Sequence, residues 1–136
     1  MQTRNPTPQE IEELLAFLPV FEAEGFSPVE HWAQSPCDSP HPVTAAWPVY
    51  NPAVAQFYQV ASQVWWCDYD YQPAQAWEML QDDTSIQSAS IDQVKTMLTY
   101  CARGERFCDG HWGAMIEKGY VQKLLRRLEC LADQMD

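Results

Sequence analysis

The sequence predicts an all-α fold: a single compact domain of five to six helices, interrupted by a long proline-rich loop over residues 26–50. Three observations carry this reading. Capping boxes open two segments, Thr7-Pro8-Gln9-Glu10 and Ser90-Ile91-Asp92-Gln93, in which the first hydroxyl and the side chain three residues on satisfy backbone N–H groups that a helix leaves orphaned. Apolar residues recur at three- and four-residue spacing behind both boxes and most clearly near the C-terminus, the signature of one buried helix face. Between the boxes, Pro28, Pro36, Pro40, Pro42 and Pro48 fall within 25 residues, a density that no helix tolerates.

The elements follow in order. Behind the first box, Ile11, Leu14, Leu15, Leu18 and Phe21 form the apolar stripe, with Glu10, Glu12, Glu13, Glu22 and Glu24 on other faces. Pro19 kinks or ends this helix, because its ring clashes with the carbonyl four residues back. From Phe26 to Tyr50 an ordered loop is expected, pinned by Trp32 and Trp47, and long ordered loops tend to carry function. Asn51-Pro52 then restarts a helix as cap and first position, with Val54, Phe57, Tyr58, Ala61, Val64 and Trp65 as its buried stripe. The most aromatic stretch, WWCDYDYQP from Trp65 to Pro73, leads into a short helix bearing Trp77 and Leu80 that fades in the polar segment 81–89. The second box opens a helix with Ile91, Val94, Leu98 and Cys101 inward and Met97 beside them, closed by Gly104. A shorter helix capped by Asp109 carries Trp112, Met115 and Ile116 and stops at Gly119. The last helix presents Val121, Leu124, Leu125, Leu128, Leu131 or Ala132, and Met135, with Arg126 and Arg127 on its outer side. No internal repeat is visible.

Composition narrows the class. The 136 residues are 46% hydrophobic and include six Trp, six Tyr and five Phe, ample for a core and opposed to disorder. No apolar run approaches the roughly 18 residues of a membrane span. The start, MQTRNPTPQEIEE, lacks the basic region and apolar run of a signal peptide, so a cytoplasmic location is expected. Five cysteines, irregularly spaced, read as reduced thiols packed as small hydrophobes, not as a disulfide framework. The net charge of −11 is uneven: residues 1–94 hold one base against 13 acids, residues 95–127 seven bases against three acids, and residues 128–136 three acids. Such a field repels nucleic acid from most of the surface, while the basic segment suits an acidic partner.

The stretch RGERFCDGHWGAMIEKGY, Arg103 to Tyr120, gathers the most chemistry. Cys108, Asp109 and His111 invite a thiol–imidazole reading, a thiolate favoured at a helix N-terminus with the imidazole as base. Each also has an ordinary role, however: Asp109 as N-cap, Gly110 as turn, Cys108 packed and His111 in an exposed first turn. Nucleophile and base usually meet from distant segments, so no catalytic residue is assigned. His31, Cys37 and His41 with Cys67 or Cys108 lack the paired C-x2-C or H-x3-H spacing of zinc ligands, and no metal or other cofactor is expected. Asp68 and Asp70, two apart, do not pair on a helix or strand and read as caps for the helix at Pro73.

Arg103, Arg106, Arg126 and Arg127, with Lys123, can gather into a guanidinium cluster for carboxylate or phosphate, or pair locally with Glu105, Glu117 and Glu129. Trp and Tyr, enriched at binding surfaces, are denser in the middle of the chain than one small core needs. The candidate binding residues are therefore Trp47, Tyr50, Trp65, Trp66, Tyr69, Arg103 and Arg106.

FLPVFEAEGFSPVEHW, WPVYNPAVAQFYQ, RGERFCDGHW and the terminal LLRRL, in that order, resemble a family of uncharacterised small bacterial domains. The most specific parts are Phe17-Leu18-Pro19, Gly25-Phe26-Ser27 and Arg103-Gly104-Glu105-Arg106-Phe107. The resemblance implies a small bacterial cytoplasmic domain, alone or attached to others, and no particular activity. The run Trp65-Trp66-Cys67-Asp68-Tyr69 is richer in aromatics than that pattern.

The leading functional expectation is a non-catalytic protein-interaction or regulatory module whose partner is another protein. The alternatives are an acidic nucleic-acid mimic or inhibitor, suggested by the acids of residues 1–94, and a small-molecule binder or thiol-dependent enzyme using Cys108 and His111.

Overall fold

A computed structural model describes residues 4–34 and 46–134. It is mostly α-helical. Helix α1 spans Pro8–Leu15 behind the first capping box, with the Glu10 N–H donating to Thr7 Oγ1 (3.2 Å) and the Thr7 N–H to Glu10 Oε1 (2.8 Å). Arg4 grips the same carboxylate with two 2.7 Å hydrogen bonds. Pro19 ends that helix as expected and sits in the first turn of a short segment α2, Leu18–Phe21.

The proline-rich stretch departs from the expected loop. Its two ends pair as an antiparallel hairpin, β1 Val29–Gln34 and β2 Ala46–Tyr50, with Trp32 opposite Pro48, Ala33 opposite Trp47 and a bulge between Val29 and His31. A two-stranded ribbon has only edge strands, which is where a proline such as Pro48 is tolerated. The middle of the stretch, including Cys37 and His41, lies outside the described residues.

Helix α3, Pro52–Ala61, is capped by Asn51 Oδ1, which accepts from the Ala53 N–H at 2.9 Å. It ends at Ala61, short of the expected stripe. Val64–Trp66 forms a separate 3-10 turn, so Val64 is exposed. Helix α4 is Pro73–Leu80, with no side-chain cap from either Asp68 or Asp70. The polar segment after it does not fade. Asp82 caps a further helix α5, Asp83–Gln87, which buries Ile86. Helix α6, Ile91–Arg103, opens on the second capping box, and α7, His111–Glu117, and α8, Tyr120–Gln134, complete the chain.

Helices α6 and α8 pack on each other at the centre. Helices α1, α2 and α5 lie against α8, α3 and α4 against α6, and α7 touches both. Val94, Met97, Leu98 and Cys101 of α6 meet Val121, Leu124, Leu125 and Leu128 of α8 in one core with Ile11, Leu14 and Phe57, each such side chain contributing about 1.5–3 kcal/mol by leaving water. No described helix is long and apolar enough to cross a membrane.

Candidate functional site

Three glycines explain how the RGERFCDGHWG segment folds. At Gly104 the backbone is ordinary right-handed helix (φ −61°), so no left-handed cap is needed. The glycine makes room: a Cβ there would lie 2.2 Å from His111 Nε2. The His111 ring fills that gap, edge-on to Tyr100, with Nε2 3.2 Å from the Tyr100 carbonyl. A carbonyl oxygen only accepts, so Nε2 carries the hydrogen. His111 is thus half-buried, not exposed, and burial lowers its pKa.

Gly110, not Asp109, is the N-cap of α7, at φ +92°, a conformation that suits glycine. A Cβ at Gly110 would meet Trp32 Cη2 at 2.9 Å, and one at Gly113 would meet Val29 Cγ2 at 2.8 Å. The hairpin therefore rests on the start of α7 through two positions that lack side chains.

Neither Gly110 nor Asp109 caps α7 with a side chain. Glu105, in the 3-10 turn Gly104–Arg106, does so from outside the helix. Its Oε1 accepts from the Trp112 N–H (2.8 Å) and the Tyr50 hydroxyl (2.7 Å), and its Oε2 accepts from the Gly110 N–H (3.0 Å). A carboxylate at a helix N-terminus is favoured by the exposed N–H groups and the dipole together. The same carboxylate ties down the hairpin, since Tyr50 ends β2. Burial, and then the Glu105 hydrogen bond, raise the Tyr50 phenol well above its ordinary pKa.

Trp112 is the wall beside this knot. It stacks on Tyr58 (centroids 4.7 Å apart), and its indole N–H donates to the Ala102 carbonyl at 2.8 Å. On the other side, the loop after the 3-10 turn Val64–Trp66 is clamped to α6. The Asp68 N–H donates to Thr99 Oγ1 (2.9 Å), and the Thr96 hydroxyl donates to Asp68 Oδ2 (2.7 Å).

Between these walls lies a cleft of about 420 Å³ lined by Cys67, Tyr69, Thr99, Arg103, Arg106 and Trp112, among others. Its volume falls in the range typical of ligand sites. The Arg103 guanidinium stands over Tyr69 and Tyr71, 5.4 and 5.6 Å from their ring centroids, a cation–π arrangement that orients the fork. Among the described residues, the ion pairs are Arg4–Glu10, Lys123–Asp83 and Arg126–Glu22. Arg103 and Arg106 take part in none of them. Glu105, the carboxylate between them in sequence, is already occupied by three donors.

A second hollow, of about 280 Å³, lies between α5 and α8. Its cations are engaged: Lys123 by Asp83, Arg126 by Glu22, and Arg127 by the Ala89 carbonyl at 2.8 Å. The five basic residues near the C-terminus therefore divide between two places and do not form one cluster.

Of the candidate residues, Tyr69, Arg103 and Arg106 share the cleft, and Tyr50 reaches its edge through Glu105. Trp47 is exposed on β2, opposite Ala33 and on the face of the ribbon turned away from Trp32. Trp65 stacks beneath Arg4 at 4.8 Å. Trp66 is 0% exposed and belongs to the core. Cys108 is exposed, its Sγ 3.8 Å from the neighbouring Asp109 carbonyl. Among the described residues, no three potential ligands gather into a metal site.

Glu105, expected as an ion-pair partner for the arginines, is instead the cap of α7, and Thr99 carries no signal in the sequence. It is hidden inside an apolar helix stripe. For Glu105 there was a signal, an acid shortly before a helix whose own first residues, Gly and His, cap poorly.

A family model described as a family of unknown function (DUF6508) matches residues 6–134. No curated protein and no solved structure matches the chain.

Proposed function

Since the chain belongs to the DUF6508 family of unknown function, which brings no activity with it, we propose from its own geometry that it is a non-catalytic interaction module of a bacterial cytoplasm. Its recognition face is the arginine cleft between α6, α7 and the loop at Tyr69, and its partner is an acidic segment of another protein. The observation that carries this is that Arg103 and Arg106 both line one cleft without an ion pair among the described residues. Exposed ion pairs contribute little to stability, so leaving two arginines unpaired costs the fold almost nothing and leaves their donors for a partner. Tyr69 lines the cleft with them, and the 83% exposed Phe107 follows Arg106 in the chain, which suits a partner that is part apolar as well as acidic. The remaining surface is dominated by acids, 13 against one base over residues 1–94, and turns the same partner away elsewhere. His111 is held against the Tyr100 carbonyl in the gap at Gly104, which favours binding over a thiol–imidazole pair.

The test is fluorescence anisotropy with a labelled decapeptide of glutamate, aspartate and two leucines, beside its Gln/Asn counterpart. The acidic peptide is expected to bind the wild type and to lose at least about tenfold in affinity, roughly 1.4 kcal/mol, against a folded Arg103→Glu/Arg106→Glu variant. Equal binding of the neutral peptide, or no effect of the charge reversal, would remove the reading.

A further inference from the structure

We infer that the cleft ends in an oxyanion pocket, in which Thr99, Arg103 and Arg106 together receive a single carboxylate or phosphate group between the rings of Tyr69 and Trp112. This rests on reading the cleft as the recognition face, and it names what that face reads.

Thr99 is the observation that points beyond a merely basic edge. Its side chain is on α6, 2% exposed, and borders the cleft. Its oxygen accepts from the Asp68 N–H, but its own proton has no acceptor among the described residues. Thr96, one turn earlier, shows the ordinary arrangement: its hydroxyl is satisfied by Asp68 Oδ2 at 2.7 Å. A buried donor left unmade destabilises the fold, and a ligand oxygen at this place supplies the missing acceptor. Thr99 and Arg103 are four apart on one helix, so both side chains lie on the same face. Arg103 is oriented by Tyr69 and Tyr71, and Arg106 reaches the cleft from the following turn. The two guanidinium groups offer donors only, Thr99 adds its hydroxyl proton, and an oxyanion is the group that complements the three.

Glu105 also borders the cleft and carries the opposite charge. Its two oxygens are turned to Tyr50, Gly110 and Trp112, where the start of α7 offsets the charge. An anion beside the arginines does not compete with it for donors. The flanking rings favour a group carried on a flat or apolar body. In the hollow between α5 and α8, by contrast, Lys123 and Arg126 are paired with Asp83 and Glu22, and Arg127 stands there without a second unpaired guanidinium to join it.

The experiment is an NMR titration of the ¹⁵N-labelled protein with benzoate, phenyl phosphate and neutral benzamide, each at ionic strength matched with sodium chloride. The expected result is saturable shifts at the Thr99 amide and at the Arg103 and Arg106 side-chain N–H groups with one or both anions, and none with benzamide. Saturation by only one anion identifies the oxyanion. Thr99→Val is expected to weaken binding about fivefold and Thr99→Ser to restore it, since serine keeps both the donor and the acceptor for Asp68. Arg103→Lys, which keeps the charge but loses the fork, is expected to weaken it similarly. Shifts that fail to saturate, that chloride reproduces, or that benzamide matches would overturn the pocket. If acidic peptides bind through the arginines while neither small anion saturates, the pocket is wrong and the interaction reading stands. If the anions saturate and the peptides do not bind, the pocket stands and the partner reading fails.

Discussion

Replacing Glu105 with Gln tests the knot that shapes the cleft. The carboxylate accepts three hydrogen bonds, two at Oε1 and one at Oε2. A glutamine that keeps its oxygen toward Tyr50 and Trp112 turns its amide N–H₂ toward the Gly110 N–H, donor against donor. The flipped amide saves Gly110 and sets its N–H₂ against the Trp112 N–H, while the Tyr50 hydroxyl turns to accept from it. One half-buried donor left unmet costs about 1–3 kcal/mol, and the surviving bonds lose their charge assistance, about 0.5 kcal/mol each. The expected loss is about 3 kcal/mol. With a urea m-value of about 2 kcal/mol/M for a chain of this size, the unfolding midpoint falls by about 1.5 M. Hydrogen exchange at the Gly110 and Trp112 amides speeds up more than at core amides of α8. Tyr50→Phe alone is expected to cost about 1–2 kcal/mol through its bond to a charged acceptor, and less than half of that in the Glu105→Gln background. A Glu105→Gln variant within about 0.5 kcal/mol of the wild type, the range of an ordinary surface substitution, would refute the account of Glu105 as cap and hairpin tie.

Further outcomes follow from the same geometry. Gly104→Ala forces the His111 ring from its place against Tyr100 and is expected to cost about 2–3 kcal/mol in chemical denaturation; in a His111→Ala background the same change costs less than about 0.5 kcal/mol. The His111 imidazole is held below its ordinary 6.5, chiefly by burial. Its contribution is therefore complete above that value and declines as the pH falls through it, a slope that His111→Gln removes from a stability–pH series. Glu10 is lowered from 4.5 to about 2, first by its hydrogen bond to Arg4. Its share of the fold is present above pH 4.5 and lost as the pH falls toward about 2; carboxyl NMR titration follows this, and Arg4→Ala returns Glu10 toward its ordinary value. Burial pushes the Cys101 thiol up to about 12, so mass-resolved alkylation at pH 8 is expected to modify the exposed Cys108 and Cys130 in the native protein and Cys101 only after unfolding.

Much of the fold was legible because its signals are local. Thr7 with Glu10, Ser90 with Gln93, and Asn51 before Pro52 mark helix starts through bonds within a few residues, and the stripes of α6 and α8 follow from periodicity alone. The hairpin was not legible: Val29 to Gln34 shows no clean alternation, and Pro48 argues against a strand unless both strands are edges. Helix α5 escaped because Asp82 supplies the cap and only Ile86 and Ala89 supply apolar burial.

The site divided along the same line. Arg103, Arg106 and Tyr69 stood out as residue types, but their meeting depends on a contact between segments some 30 residues apart. Trp66 was chosen for its chemistry, and its burial was invisible without tertiary contacts. Gly104 reads as a helix C-cap and Gly110 as a turn residue, whereas Gly104 and Gly113 are there for the absent Cβ, a demand imposed by His111 and Val29 from outside the local backbone.

The most direct test of the central claim is an NMR footprint of the acidic decapeptide on the ¹⁵N-labelled protein. The account predicts perturbations concentrated at Tyr69, Thr99, Arg103, Arg106 and Trp112, with the faces of α1 and α8 unchanged. Perturbations centred on the hollow between α5 and α8, or spread evenly over the surface, would contradict it.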